Sequence, residues 1–169
     1  MKTLKTLSLM LILAICTTFA NAKTAPDNYI DKLINAYLDV KNALVSGDGA
    51  VVKTKSAELF KYLSAAPDKS LNQKQQEILQ QYHTKLLFDS RHMSETAMID
   101  HQREHFASLS KNMYEVVKAV KMNTTPVYEQ YCPMKKAYWL SESDQIKNPY
   151  YGNKMLTCGK VTETLPPVK

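Results

Sequence analysis

Four sulfur-bearing side chains lie at the two ends of one short segment near the C terminus. Cys132 and Met134 stand at the start of this segment, and Met155 and Cys158 stand at its end. Thiolate and thioether sulfurs are soft ligands, and a site that combines them favours Cu(I) over harder ions. The spacing therefore predicts a four-sulfur site for a soft metal ion.

The local sequence indicates how each pair of sulfurs would converge. Pro133 fixes its own φ angle and lacks an N–H, which favours an extended run. Cys132 and Met134 are two residues apart, so in an extended run their side chains point the same way. Met155 and Cys158 are three residues apart, a spacing that brings side chains together on a helical turn.

Residues 148–152 supply the chain reversal that would bring the two pairs together. Asn148-Pro149 and Gly152 are typical turn residues. We expect Gly159 to end the turn that contains Cys158 by adopting a left-handed conformation.

Histidines provide a second set of candidate ligands. His101, Glu104 and His105 spell H-x-x-E-H, a metallopeptidase pattern in which two histidines share a zinc ion and the glutamate acts as a base. We interpret this match as accidental, because only three positions are fixed and no third ligand is evident, and we predict no enzymatic activity. His105, together with His92, is instead a candidate auxiliary copper ligand.

The first 22 residues are typical of a cleaved signal peptide. Lys2 and Lys5 precede an apolar run over residues 7–19, and residues 20–22 form an A-x-A cleavage site. The mature chain is therefore predicted to begin at Lys23 and to work in the periplasm or outside the cell.

The export segment also allows a second interpretation. Cleavage and lipid modification at Cys16 would make the chain a lipoprotein, but Ile15 is bulky where a small residue is usual, so this alternative is less favoured. The apolar run is too short to predict a membrane span.

The composition of the mature chain limits the classes of function. Removing residues 1–22 leaves 147 of the 169 residues and lowers the formal charge from +6 to +4. That length suits one domain with a real core. The positive residues are spread out, without a basic stripe and interleaved aromatic residues, so no nucleic-acid partner is predicted.

Export also determines how the cysteines are interpreted. Cys16 leaves with the signal peptide, so the mature chain keeps only Cys132 and Cys158. An exported cysteine pair in an oxidising compartment is a candidate disulfide, and this alternative stays open. Neighbouring lysines would favour thiolates and offset the charge of a Cu(I)–dithiolate; they are Lys135, Lys136, Lys154 and Lys160.

Four amphipathic segments predict helices. Apolar residues recur at spacings of three and four over residues 26–46, 49–64, 72–94 and 100–121. Four such helices with short connections indicate an all-α fold, an antiparallel four-helix bundle over residues 26–121. Lys41 is the one polar residue on the apolar face of the first helix.

The rest of the single domain, which spans residues 23–169, has a different composition. Aromatic residues are concentrated over residues 126–160, which predicts an irregular cap packed on one side of the bundle. Only residues 127–131 suggest a strand, and Ser141 is expected to cap a short helix over 142–147. Residues 161–169 are predicted to be a loose tail.

The cap carries motifs that resemble those of a known family. The motifs are at residues 131–134, 139–141, 146–152 and 155–159, with upstream similarity at 37–44 and 102–110. They resemble an uncharacterised bacterial domain family that also occurs fused to the periplasmic adaptor subunits of Cus-type copper/silver efflux pumps. The resemblance implies an exported domain that handles a heavy metal, most often copper. An adaptor role is not implied, because 147 residues leave no room for the adaptor's own domains.

These observations predict a protein that binds Cu(I) or Ag(I), for sequestration or for delivery to a heavy-metal efflux complex. The candidate metal ligands are Cys132, Met134, Met155 and Cys158, with His105 and His92 in auxiliary roles. The alternative is an exported protein-interaction module without metal, in which a disulfide joins the two cysteines.

Overall fold

The computed structural model describes residues 28–65 and 70–168, in which the helical part of the sequence prediction is confirmed. The helices are α1 (Tyr29–Ser46), α2 (Gly49–Ser64), α3 (Gln73–Glu95) and α4 (Ile99–Val120). Their bounds agree closely with the periodicity of the sequence. The predicted signal peptide, Cys16 and the predicted new N terminus at Lys23 lie outside the described residues.

Side-chain caps explain why the helices begin where they do. The side chain of Asn28 accepts hydrogen bonds from the first turn of α1, and Asp48 does the same for α2. Asn72 and Gln75 form a capping box at the start of α3. Gly47 ends α1 with a φ of 79°, a left-handed conformation that suits glycine.

The four helices pack together around one apolar core. Each helix contacts the next along the chain, and α1 also contacts α4. Tyr37 of α1 stacks on Phe106 of α4, with ring centroids 5.4 Å apart. The buried face of α4 is the one that the sequence pattern predicts, and it includes Phe106, Leu109, Met113, Val116, Val117 and Val120.

The prediction of an all-α fold with an irregular cap is wrong for the C-terminal part of the chain. Three strands, β1 (Val127–Cys132), β2 (Ala137–Ser141) and β3 (Lys160–Leu165), form an antiparallel sheet in the order β2-β1-β3. The expected strand over 127–131 is the central one. Its partner β2 buries three successive residues against the helices, so it lacks the alternation that identifies a half-buried strand.

The predicted loose tail over residues 161–169 is also corrected, because most of β3 lies in it. Pairing with β1 holds this strand at the sheet edge, and Leu165 is buried. Most other residues of β3 are polar and exposed, which hides the strand in the sequence and suits an edge. Beyond it, the backbone N–H of Val168 donates to the carbonyl oxygen of Asn123 at 2.9 Å.

The helix expected over residues 142–147 does not form, and residues 142–145 form bends instead. Serine hydroxyls provide the physical reason. Ser141 Oγ accepts from the backbone N–H of Ser143, and Ser143 Oγ accepts from that of Gln145. These local bonds engage donors without a helical turn, as serine often does.

Buried polar contacts fix the sheet against the helices. The hydroxyl of Tyr37 shares a 2.7 Å hydrogen bond with Ser110 Oγ and accepts from the backbone N–H of Leu140 at 3.0 Å. Trp139 is buried on the same strand. The cap therefore packs in one defined position, which determines where its cysteines lie. In the described part of the chain, no helix is long and apolar enough to cross a membrane.

Candidate metal centre

The turn between β1 and β2 positions the first cysteine. Cys132 is the last residue of β1, and its side chain is fully buried. The backbone N–H of Lys136, whose φ is 56°, donates to the carbonyl oxygen of Cys132 at 2.8 Å and closes a tight turn over residues 133–136. The expected extended run through Met134 is therefore wrong, because Pro133 presets a φ angle that also suits a turn.

The segment over residues 148–158 positions the second cysteine. Asn148 is fully buried; its side-chain amide donates to the carbonyl oxygen of Cys158 at 2.7 Å, and its backbone N–H donates to that of Leu156 at 2.8 Å. The N–H of Cys158 donates to the carbonyl oxygen of Met155 at 3.1 Å, which closes the expected turn. Asn148 thus fixes the reversal that the sequence predicts.

Gly159 has a different role from the expected left-handed stop. Its φ is 155°, far from the left-handed helical value. A Cβ atom at this position would lie 2.8 Å from Cη2 of Trp139 and 3.0 Å from the carbonyl oxygen of Tyr131. Glycine is needed here because β1 and Trp139 approach the backbone closely, and that approach brings the neighbouring Cys158 up to Cys132.

The two cysteine sulfurs are neighbours. Both thiols are free, and Sγ of Cys132 lies 3.9 Å from Sγ of Cys158. Two metal–sulfur bonds of about 2.3 Å at a tetrahedral angle place their sulfurs about 3.8 Å apart. The observed separation therefore suits two ligands of one metal ion without movement of the backbone.

Backbone N–H groups of the β1–β2 turn face both sulfurs. The N–H of Lys135 lies 3.4 Å from Sγ of Cys132, and that of Met134 acts on the Cys158 thiol. Partial burial and the adjacent Cys132 raise the pKa of Cys158, an effect that the Met134 N–H only partly offsets. The expectation that nearby lysines favour thiolates stays a prediction.

Neither methionine is as deeply buried as Cys132. Met134 lies in the β1–β2 turn with its side chain 64% exposed, and Met155 is half-buried in the turn before Cys158. The structure brings the two cysteines together, whereas the participation of the two thioethers stays a prediction.

A second cluster of candidate ligands lies between α3 and α4. His92 of α3 meets His101 and His105 of α4, and one ligand atom from each ring lies within 4.8 Å of the others. All three rings are half-buried. His92 and His105, the predicted auxiliary ligands, are therefore brought together, in a group that excludes Cys132 and Cys158 among the residues the structure describes.

Sequence reasoning missed one histidine of this cluster as a ligand candidate and the carboxylate beside it. The sequence pattern places His101 only in the peptidase motif and gives Asp89 no role. The Asp89 carboxylate is buried and accepts a 3.0 Å hydrogen bond from Nδ1 of His105. The sequence does contain a feature that could have identified Asp89. It is a charged residue on the inward-facing side of α3, and it lies three residues before His92.

Glu104, the glutamate of the H-x-x-E-H pattern, is exposed and lines a groove on the surface. A groove of about 310 Å³ runs between α4 and the cap, and its wall includes Glu104, Arg103, Lys135 and Tyr150. Arg103 fixes one side by donating to the carbonyl oxygen of Pro149 at 3.1 Å. The glutamate thus has surroundings separate from the histidine cluster.

Comparison with known proteins provides a family for the helical part of the chain. A family model described as "Protein of unknown function (DUF3347)" matches residues 33–125. The chain belongs to this family. The DUF3347 match includes all three clustered histidines and ends before β1, so the two cysteines lie outside it. No curated protein and no solved structure matches the chain.

Proposed function

We propose that this protein is exported and binds one Cu(I) or Ag(I) ion between Cys132 and Cys158, for sequestration or for delivery to an efflux system. The observation that carries the proposal is the 3.9 Å separation of the two free sulfurs. Two thiolates are soft ligands, which favour these monovalent ions over Ca(II) or Mg(II).

The surroundings of the sulfurs support a metal site. Metal binding converts thiols into thiolates and releases protons. Backbone N–H groups of Met134 and Lys135 are placed to donate to sulfurs that become negatively charged. Because the pKa of Cys158 is raised, the apparent metal affinity should increase with pH until this thiol ionises without metal.

The cellular setting of the proposal comes from the sequence. The signal-peptide pattern supports a periplasmic or secreted protein, and the cap motifs resemble domains fused to adaptors of Cus-type pumps. Mass spectrometry of the exported protein should give an N terminus at Lys23; a lipid-modified Cys16 would contradict this. The helices, which we propose form an antiparallel bundle, serve as a scaffold, and no catalysis is proposed.

A disulfide-joined interaction module is the second candidate function. The same separation favours it, because sulfurs 3.9 Å apart need only small side-chain rotations to approach bonding distance. In that case the cap of an oxidised protein would present a fixed surface to a protein partner, and Met134 and Met155 would have no role in metal binding.

A competition titration of the reduced protein against a chromophoric Cu(I) chelator separates the two candidates. The wild type should take about one Cu(I) from the chelator, and Cys132→Ser or Cys158→Ser should nearly abolish this. The variant Met134→Leu/Met155→Leu conserves volume and should weaken binding less, since thioethers are neutral ligands. Met113→Leu, which changes a buried methionine of α4, is the matched control.

Two results of the titration would contradict the proposed four-sulfur site. A wild type that takes no copper from the chelator would leave the disulfide module as the better account. Unchanged competition by the double methionine variant would retain the cysteine pair but remove the thioethers from the site.

A further inference from the structure

Three of the four histidines in the chain meet at one place. His101 and His105 are four residues apart, so they share one face of α4, and α3 supplies His92 opposite them. The rings of His92 and His105 lie with centroids 4.8 Å apart, and those of His101 and His105 lie 4.7 Å apart. Such a concentration of imidazoles on two packed helices is the arrangement from which metal sites in bundles are built.

The distances within this cluster suit one shared ion. Nitrogens bound to a tetrahedral metal at about 2.0–2.1 Å are about 3.3 Å from one another. The ligand atoms of the three rings already lie within 4.8 Å. The difference is within the range of rotations about the side-chain bonds, and the half-buried rings are not enclosed on every side.

Asp89 supplies a second observation, a hydrogen bond to one of the three rings. A carboxylate only accepts hydrogen bonds, so the 3.0 Å contact requires Nδ1 of His105 to carry the proton. In the neutral ring the lone pair of His105 is then on Nε2 and available to a metal. A carboxylate that fixes the tautomer of a ligating histidine is the usual outer partner of such sites, and this one is only 3% exposed.

We propose that His92, His101 and His105 form a second metal site, which binds a divalent ion of intermediate softness, Zn(II) or Cu(II), independently of the cysteine pair. Imidazole nitrogen suits these ions, whereas Cu(I) is better served by thiolates. Three protein nitrogens leave a fourth position for water or another ligand. Asp89 is a positioning residue that acts through His105.

The ring of Phe88 covers one side of the site. It lies 4.2 Å from the His92 ring and 5.7 Å from the His105 ring, measured between centroids, and its side chain is half-exposed. An apolar ring beside the histidines limits water on that side and strengthens ligand bonds. The distinct position of Glu104, on the groove that Lys135 lines, argues against its use as a base for a metal-bound water.

The test uses the variant Cys132→Ser/Cys158→Ser, so that failure of the cysteine site does not affect the result. Titration with Zn(II) alone, and separately with Cu(II) alone, should show one bound ion at micromolar or tighter dissociation constant. His101→Gln or His92→Gln in this background should lower the affinity at least tenfold. Asp89→Asn should lower it about 10–100-fold, the usual cost of losing such an outer partner.

His83→Gln is the matched control, since His83 lies on α3 and contacts the carbonyl oxygen of Leu63 at 2.7 Å. The affinity of the His83→Gln variant for Zn(II) and for Cu(II) should equal that of the Cys132→Ser/Cys158→Ser parent. Ring signals in nuclear magnetic resonance spectra should shift on addition of Zn(II) for the three clustered histidines and stay unchanged for His83. Equal affinity of His101→Gln and its parent, or no binding of either ion, would overturn the proposal.

A purely structural role for the histidines predicts a different pattern. It would lower the melting temperature of metal-free His101→Gln without changing the difference between zinc-loaded and chelator-treated protein. The metal site predicts that this difference is large in the parent and lost in His101→Gln.

Discussion

The ammonium nitrogen of Lys41 lies 2.8 Å from Oε2 of Glu142, and the lysine side chain is 1% exposed. This pair joins α1 to the bends that follow β2. Burial lowers the pKa of Lys41, and the hydrogen bond and charge of Glu142 oppose that effect. The glutamate is therefore what allows a charged lysine on the apolar face of α1.

Replacing Glu142 by glutamine should destabilise the protein by about 1–3 kcal/mol, because a buried ammonium group loses its countercharge. The figure is below that of a fully buried pair, since Glu142 is half-exposed. Urea unfolding provides the measurement. Glu58→Gln, which removes an exposed partner of Lys55, is the matched control and should have little effect. Equal effects of both variants would show that the Lys41 pair does not anchor the cap.

The contribution of Glu142 should also depend on pH. Burial alone would raise its pKa, but the hydrogen bonds from Lys41 and the backbone, with the charge of Lys41, lower it below the ordinary value of 4.5. A carboxyl group whose pKa is lower in the folded state stabilises the folded protein at pH values above its unfolded-state pKa. This stabilisation is lost as the pH falls through the folded-state pKa. The stability difference between wild type and Glu142→Gln should therefore shrink below about pH 4.5. A difference that grows there would contradict the lowered pKa.

Gly159→Ala tests whether close packing on Trp139 positions Cys158. The new methyl group would combine a positive φ with contacts of 2.8 Å to Trp139 and 3.0 Å to the Tyr131 carbonyl oxygen. We expect a loss of about 2–4 kcal/mol in the free energy of unfolding, from strain and overpacking together. Copper affinity should fall as well, because residue 158 must shift.

Gly47→Ala is the control, since it has a positive φ but no heavy atom within 4 Å of the added Cβ. This variant should lower the free energy of unfolding by about 1–2 kcal/mol, from conformational strain alone, and leave copper binding unchanged. If Gly159→Ala binds copper as tightly as Gly47→Ala, this glycine does not position the sulfur pair.

The helices were predictable because their stability depends on a repeating apolar face and on local caps such as Asn72. The sheet was hidden, since β2 buries successive residues and β3 is mostly polar. The approach of Cys132 to Cys158 was predictable only in part: the reversal at Asn148 is as expected, whereas the backbone at Met134 and Gly159 is not. The histidine cluster could not be derived from spacing along one helix, because it depends on the register of α3 against α4, which packing determines.

X-ray absorption at the copper edge tests the central claim most directly, because it reports the atoms bound to the ion. Reduced protein loaded with one equivalent of Cu(I) should show sulfur neighbours at about 2.3 Å, and Cys158→Ser should lose this signal. A first shell of nitrogen at about 2.0–2.1 Å would place the ion on the histidines. That result would contradict a copper site at Cys132 and Cys158.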